Sequence, residues 1–349
     1  MKIIDLFSGV GGLSLGFENA GFETIASVDL WEDAIKTYNH NRKDKTGLTI
    51  SIEEFNKHHL KKILIKHKIT GVIGGPPCQG FSSARLSDNS DQIGLINEDR
   101  NKLYLEFYKT VKQTAPEFFL MENVRGMLNL DKGAFVKDIL NRFGKLGYSI
   151  SYELLNAAEF GVPQHRHRVF FVGLKKGVFE FPKKQTNLIS SFEALSDLPL
   201  NLNTQIKKYT SKPKNEFQRM IRVNSKIILN HEETKHSDKT KEIISMIPDG
   251  GNIKSLPEKY WEIRKFNKAF QRMNSKLPSL TIDTGHRNYF HYSEHRIPSV
   301  RESARIQSFP DTFEFVGSKT SQYKQVGNAV PPLLAYKIAL QIKKHLKRR

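Results

Sequence analysis

Short apolar runs alternate with longer amphipathic stretches through the first half of the chain. Ile3-Ile4-Asp5-Leu6-Phe7 is the first such run and reads as a strand. Ser8-Gly9-Val10-Gly11-Gly12 follows as a glycine turn, and residues 13–20 have helical spacing. Residues 24–28 read as a second strand that ends at Asp29. The alternation continues with a helix over 56–67, a buried strand over 71–74, a helix over 103–113 and a strand over 117–121. That strand leads into Glu122-Asn123-Val124; a helix over 134–146 and strands over 149–155 and 169–173 come next. Strands alternating with helices predict a mostly parallel sheet covered by helices. After about Gly177 the character changes. Residues 201–276 show little clean periodicity, and the tail, 337–349, reads as an amphipathic helix with a basic end.

Charge sharpens this division. Lys+Arg 55 against Asp+Glu 36 gives a net +19 over 349 residues, which favours a polyanionic partner, most simply nucleic acid. Residues 201–276 carry 17 Lys/Arg against 8 Asp/Glu, interleaved with Tyr209, Phe217, Tyr260, Trp261, Phe266 and Phe270. That segment reads as a basic module for phosphates and bases; a variable insertion with solvated lysines competes. The lone cysteine excludes an internal disulfide and a cysteine-based zinc site. Met1-Lys2-Ile3-Ile4-Asp5 is no signal peptide, and no apolar stretch approaches a membrane span, so a cytoplasmic protein is expected.

Candidate chemistry lies at three places. Gly74-Gly75-Pro76-Pro77-Cys78-Gln79-Gly80-Phe81-Ser82 puts the thiol on a tight loop after a buried strand, where open α/β sheets place their chemistry. A lone cysteine is more often a small core residue, but prolines before it and Gln-Gly after it are turn chemistry. Glu122 ends a buried strand, where a carboxyl can hold or share a proton; alone it would more often form a strand-end ion pair. Gln164-His165-Arg166-His167-Arg168 is extended, so a period of two puts Gln164, Arg166 and Arg168 on one side. The two guanidiniums would then stabilise negative charge or bind phosphate; an edge-strand solubility device is the alternative. Near the N-terminus, the β-turn-α-β unit with Asp29 after strand two resembles a nucleotide fingerprint, with Phe7 and Trp31 placed to sandwich an adenine. Its glycines read G-x-G-G, which does not imply a dinucleotide, and a plain helix–strand turn competes.

Taken together and in order, six segments resemble the cytosine-C5 DNA methyltransferases of prokaryotic restriction-modification type, over nearly the whole chain. They are Asp5 to Gly12, Gly75 to Ser82, Glu122-Asn123-Val124, Gln164 to Arg168, Arg301-Glu302-Ser303-Ala304-Arg305-Ile306-Gln307-Ser308-Phe309-Pro310, and Gln325-Val326-Gly327-Asn328-Ala329-Val330-Pro331. The resemblance implies an α/β, Rossmann-like S-adenosylmethionine-dependent methyltransferase sheet with a smaller basic target-recognition domain. It divides the chain into a catalytic and cofactor domain over 1–190, target recognition and hinge over 191–320, and a return segment over 321–349 that packs on the first domain. By the same resemblance Cys78 adds to C6 of cytosine, Glu122 engages ring N3, and Arg168, with Arg166 beside it, steadies a base flipped from the duplex. S-adenosylmethionine is the implied methyl donor. Phe7, Gly9 and Gly11 match its loop and Asp29 the ribose-binding acid. Trp31 would stack on adenine, Leu103 matches an apolar wall, and Asn328 matches the asparagine near the methionine end. The family's adenine-contacting aspartate has no counterpart here; Ser51 is nearest in the chain, with Glu53 the possible substitute. Arg301, Glu302 and Arg305 match hinge residues and read as a buried ion network.

The implied partner is double-stranded DNA carrying a specific short sequence, met by a monomer with no membrane role, alongside a cognate restriction endonuclease. A tRNA cytosine-C5 methyltransferase is the first alternative, but that branch usually lacks so long a basic module. A non-catalytic DNA-binding regulator would predict damage at Cys78, Glu122 or Arg168, and all three are intact. A nicotinamide dehydrogenase is disfavoured by G-x-G-G and the Pro-Pro-Cys loop. His286, His291 and His295 lack an acid-rich cage, so no metal is expected and they read as phosphate contacts or plain surface.

Overall fold

The structure is a computed structural model and describes residues 1–77, 98–202, 208–209, 211–263, 270–285 and 289–347. Two compact units make up the chain. The first comprises Met1–Asn156, His167–Lys183 and Ala335–Arg349; the second comprises Ala157–Arg166 and Lys184–Leu334. Of the predicted return segment, residues 321–334 thus belong to the second unit and only Ala335–Arg349 to the first.

The first unit is built on one seven-stranded sheet. Its strands are β1 (Lys2–Leu6), β2 (Glu23–Asp29), β3 (Gly47–Thr49), β4 (Gly71–Gly74), β5 (Phe118–Val124), β6 (Ser149–Asn156) and β7 (His167–Leu174), in the order β3-β2-β1-β4-β5-β7-β6. Strands β1 to β5 pair in parallel, while β7 runs antiparallel between β5 and β6. Helices lie between the parallel strands, starting with α1 (Gly12–Asn19) and α2 (Glu32–His40). A sheet covered on both faces needs strands that are apolar throughout, and β4 and most of β5 are fully buried.

β5 shows how the faces are filled. Successive side chains point to opposite faces. Phe118 stacks on Phe17 of α1 with ring centroids 6.0 Å apart. Phe119, on the other face, stacks on Phe143 of the helix Ala134–Lys145 at 4.3 Å and meets Tyr148 edge-on at 5.2 Å. Each ring lies over a glycine of the neighbouring strand, Gly71 opposite Phe118 and Gly173 opposite Phe119. A Cβ at either glycine would sit about 2 Å from the ring.

Sequence periodicity passed over α2 and β3. β3 is a three-residue edge strand with no fully buried position, so it leaves no apolar run to read. The helix expected over 56–67 is Ile52–Glu54 followed by a wide turn, Phe55–His59, and then Leu60–Lys66. In the wide turn the Leu60 N–H bonds the Phe55 carbonyl, five residues back, and Phe55 and Leu60 are both fully buried.

The second unit has little sheet, only the short parallel pair β8 (Gln271–Arg272) and β9 (Tyr289–Phe290) among the described residues. Irregular backbone leaves buried carbonyls without ladder partners, and arginines with several fixed donors satisfy them. Arg272 reaches the carbonyls of Ile244, Ile247, His291 and Glu294. Arg301 reaches those of Leu229, Pro310 and Phe313. Arg305 pairs with Asp197 and Asp311, and Glu302 takes both arms of Arg296 at 2.7 and 2.8 Å. Burial alone would raise the Glu302 and Asp311 carboxyls; the guanidiniums outweigh it and hold both below the usual range. Arg301, Glu302 and Arg305 are therefore buried and ion-paired as expected, but in two groups: Arg301 and Arg305 share Asp311, and Glu302 pairs with Arg296.

Two expectations for this unit need correction. His291 is neither surface nor a phosphate contact. It is fully buried, its Nδ1 accepts from the backbone N–H groups of Ser293 and Glu294, and burial lowers it to about 4, so it is neutral. His295 is exposed, and His286 lies outside the described residues. Of the interleaved aromatics, Phe217 and Phe270 are core residues, and Tyr209 is tied to Asp311 and covered by Arg222. Burial of the apolar rings competes with exposure to bases, and in those positions burial wins. Trp261 remains partly exposed, and Phe266 lies outside the described residues.

Candidate active site

The strand order reverses between β1 and β4, and the crevice beyond the carboxyl ends of strands at such a point is where α/β sheets bind ligands. The glycine turn follows β1, and the Pro-Pro-Cys loop follows β4. Gly75 N–H donates to the Leu6 carbonyl at 3.3 Å, so the two loops leave the sheet joined.

The glycine turn is held from β2. Ser8 N–H bonds the Val28 carbonyl at 3.2 Å, and Gly9 N–H bonds Asp29 Oδ2 at 2.8 Å. Asp29 Oδ1 accepts from Trp31 N–H at 2.8 Å, which sets the start of α2. Phe7 and Gly9 both take left-handed conformations, φ 56 and 54. The turn thus brings Phe7, Gly9, Asp29 and Trp31 together, with both carboxylate oxygens fixed. Asp29 is raised by burial, opposed by its backbone donors. Asp5, on β1 just ahead of the turn, is fully buried. Burial pushes it up to about 7, opposed by Ser14 and the charge of Arg42.

Across the switch point, Glu122 near the end of β5 pairs with Arg168 at the start of β7, Oε1 to Nε at 2.9 Å. The antiparallel register puts Arg168 opposite Val124, two positions from Glu122 and on the same face. Gly75 crosses this pair so closely that a Cβ there would lie 2.9 Å from Glu122 Oε2. Buried Asn123 donates to the Pro76 carbonyl at 2.8 Å and so ties the end of β5 to the loop. Cys78 lies outside the described residues.

The sequence model of the C-5 cytosine-specific DNA methylases matches residues 1–344. The chain belongs to that family. It is 38% identical to the Type II methyltransferase M1.HphI of Haemophilus parahaemolyticus, over 97% of this chain and 86% of that one. It is 37% identical to the Type II methyltransferase M.DdeI of Desulfomicrobium norvegicum, over 98% and 88%. Among solved structures, one described as a DNA modification methyltransferase encoded within an E. coli prophage superposes with a TM-score of 0.82 at 27% identity, over 99% of both chains. The protein is therefore a DNA cytosine-5-methyltransferase of restriction-modification type with a Rossmann-like sheet, and its cofactor is S-adenosylmethionine.

The residues present fit that cofactor. A carboxylate fixed by two N–H groups keeps lone pairs for ribose hydroxyls. Of the remaining matched positions, Leu103 is half-buried on the helix Glu98–Thr114, and Asn328 is exposed at the end of the helix Lys319–Asn328. Ser51 caps the helix Ile52–Glu54, its hydroxyl accepting from Glu54 N–H.

Arg166 is placed differently from the sequence expectation. It is fully buried in the second unit and donates to the Ile282 and Gly327 carbonyls at 3.2 and 2.9 Å. Gln164 meets Gln307, which in turn holds the Val326 and Ala329 carbonyls. These side chains fix the backbone on either side of Asn328. Period-two reasoning grouped Arg166 with Arg168 because it could not foresee that the chain changes unit between them. It also missed Asn123 and Arg42, whose partners lie far along the chain.

Proposed function

We propose that the enzyme methylates C5 of a cytosine flipped out of a short specific double-stranded DNA sequence, through a covalent Cys78–C6 adduct. The observation that carries this is the Glu122–Arg168 pair beside Gly75, three residues ahead of the only thiol. Cytosine C5 is a poor nucleophile; a thiolate adding at C6 makes it enamine-like. Glu122 engages N3 and offsets the charge that develops on the ring as the adduct forms. Arg168 orients Glu122 and steadies the base. S-adenosylmethionine, when bound, supplies the methyl group. Loss of the C5 proton then releases Cys78.

Phe7, Gly9, Gly11, Asp29, Trp31, Leu103 and Asn328 are assigned to the cofactor. Arg166 is assigned to holding the backbone beside Asn328, since its guanidinium is spent on carbonyls. The second unit is assigned to target recognition, the enzyme acts as a monomer, and its marks protect DNA from a cognate endonuclease.

The test is base-resolution mapping of methylcytosine in plasmid DNA incubated with the protein and S-adenosylmethionine, with a tRNA pool in parallel. Marks at one short recurring DNA sequence are expected, and Cys78→Ala should remove them while leaving DNA binding. Marks confined to RNA, or a Cys78→Ala variant that still methylates, would overturn the assignment.

A further inference from the structure

Arg42 lies just beyond α2 and outside every segment that carried the family resemblance. Its guanidinium nevertheless reaches the cofactor turn. Nη2 donates to the Gly11 carbonyl at 3.2 Å and to Ser14 Oγ at 3.4 Å. Nη1 donates to the Tyr38 carbonyl at 3.3 Å. Nε meets both carboxylate oxygens of Glu18 in α1 at 3.0 and 3.1 Å, and Glu18 accepts from Thr24 Oγ1 in β2 at 2.8 Å. The guanidinium carbon also sits 3.7 Å from the centroid of the Tyr38 ring.

Gly11 is fitted to this stack. It has φ 79, and a Cβ on it would lie 2.5 Å from the Tyr38 ring and 2.9 Å from Arg42 Nη2. The turn is thus anchored at both ends, Ser8 and Gly9 by β2 and Gly11 by Arg42. The Arg42 side chain is only 10% exposed, so its fork is held in one geometry. Its charge also opposes the burial of Asp5 beneath the turn.

We propose that Arg42 is a positioning residue for S-adenosylmethionine: it clamps the Gly9–Gly11 turn onto α1 and α2 in the conformation that receives the cofactor. This rests on the reading that the turn and Asp29 hold the cofactor. A lysine keeps the charge but lacks the planar fork, so it cannot serve Gly11, Ser14 and Glu18 together.

The test is calorimetric binding of S-adenosylmethionine to the full chain in wild type, Arg42→Met, Arg42→Lys and Asp29→Asn. Arg42→Met is expected to raise Kd about tenfold or more, and Arg42→Lys to restore only part of the loss. DNA affinity in gel shift should stay within about twofold, and kcat at saturating cofactor should fall far less than kcat/KM. Wild-type affinity in Arg42→Met, with weakened binding in Asp29→Asn, overturns the clamp and leaves the cofactor turn standing. Unchanged affinity in both variants removes the turn assignment itself. Parallel loss of cofactor binding, DNA binding and melting temperature in Arg42→Met makes Arg42 a fold residue and overturns the clamp. If Arg42→Met does not fold, wild-type affinity in Arg42→Lys overturns it.

Discussion

On the proposed mechanism, the carboxyl that meets the ring nitrogen needs its position set before the base arrives. At Glu122 that setting comes from Arg168, 2.9 Å away, and from Gly75, which allows backbone to pass against the carboxylate. Both follow from the sheet, since β7 returns antiparallel to β5 and brings Arg168 to the same face. Glu122→Gln keeps the shape but loses the charge. It is expected to lower kcat by roughly 100-fold or more with cofactor affinity unchanged. Single-turnover kinetics would check this, and a kcat within a fewfold of wild type would remove Glu122 from the chemistry. Glu122 stood out in the sequence because it sits in a short motif at a strand end, and so did Cys78, which lies outside the described residues. Arg42 did not, because its partners Gly11, Ser14 and Glu18 are 24 to 31 residues away.

At the scale of elements, the glycine–phenylalanine pairs of the central sheet link sequence to packing. Phe118 and Phe119 fill opposite faces of β5, each over a neighbour's glycine. Phe119 carries the face that packs on Phe143, Tyr148 and Phe107. Phe119→Ala should cost about 3–5 kcal/mol, the usual range for emptying such a site, measured by denaturant unfolding. A loss under about 1 kcal/mol would mean the helix Ala134–Lys145 repacks into the gap. The strands of this core were legible because apolar runs bounded by glycine and proline have one sensible reading. The wide turn at Phe55–His59 and the edge strand β3 were not. The first depends on which side chains must reach the core, and the second is held by pairing with β2, by Leu48 against the core and by the Asn39 side chain on Gly47.

At the scale of the whole molecule, charge has two different jobs. In the second unit, buried arginines and Glu302 hold irregular backbone together, with two neutral histidines beside them, buried His291 and half-buried His231. Burial lowers both histidines, His291 from 6.5 to about 4. Between those values the unfolded chain binds the proton and the folded chain does not. Stability is therefore present in full above about 6.5 and declines as pH falls toward 4, by roughly 3 kcal/mol for His291. His291→Asn, whose amide oxygen can still accept the two backbone N–H groups, should flatten that decline in pH-dependent unfolding. On the proposed reading the lysines of residues 201–276 have the other job, contact with DNA phosphates. Replacing several of them should weaken DNA binding and make log K less steep against log salt, by roughly 0.9 for each phosphate no longer neutralised. An unchanged slope would return them to solvated surface. The sequence by itself determined the strand–helix alternation, the glycine turn after β1, the acid after β2 and the basic balance, because each is written in neighbouring residues. Only the tertiary structure decided which arginine meets Glu122, that Arg166 and His291 belong to buried framework, and that Arg42 grips the glycine turn after β1. Those interactions join residues distant along the chain, and their geometry exists only once the unit that holds them has folded.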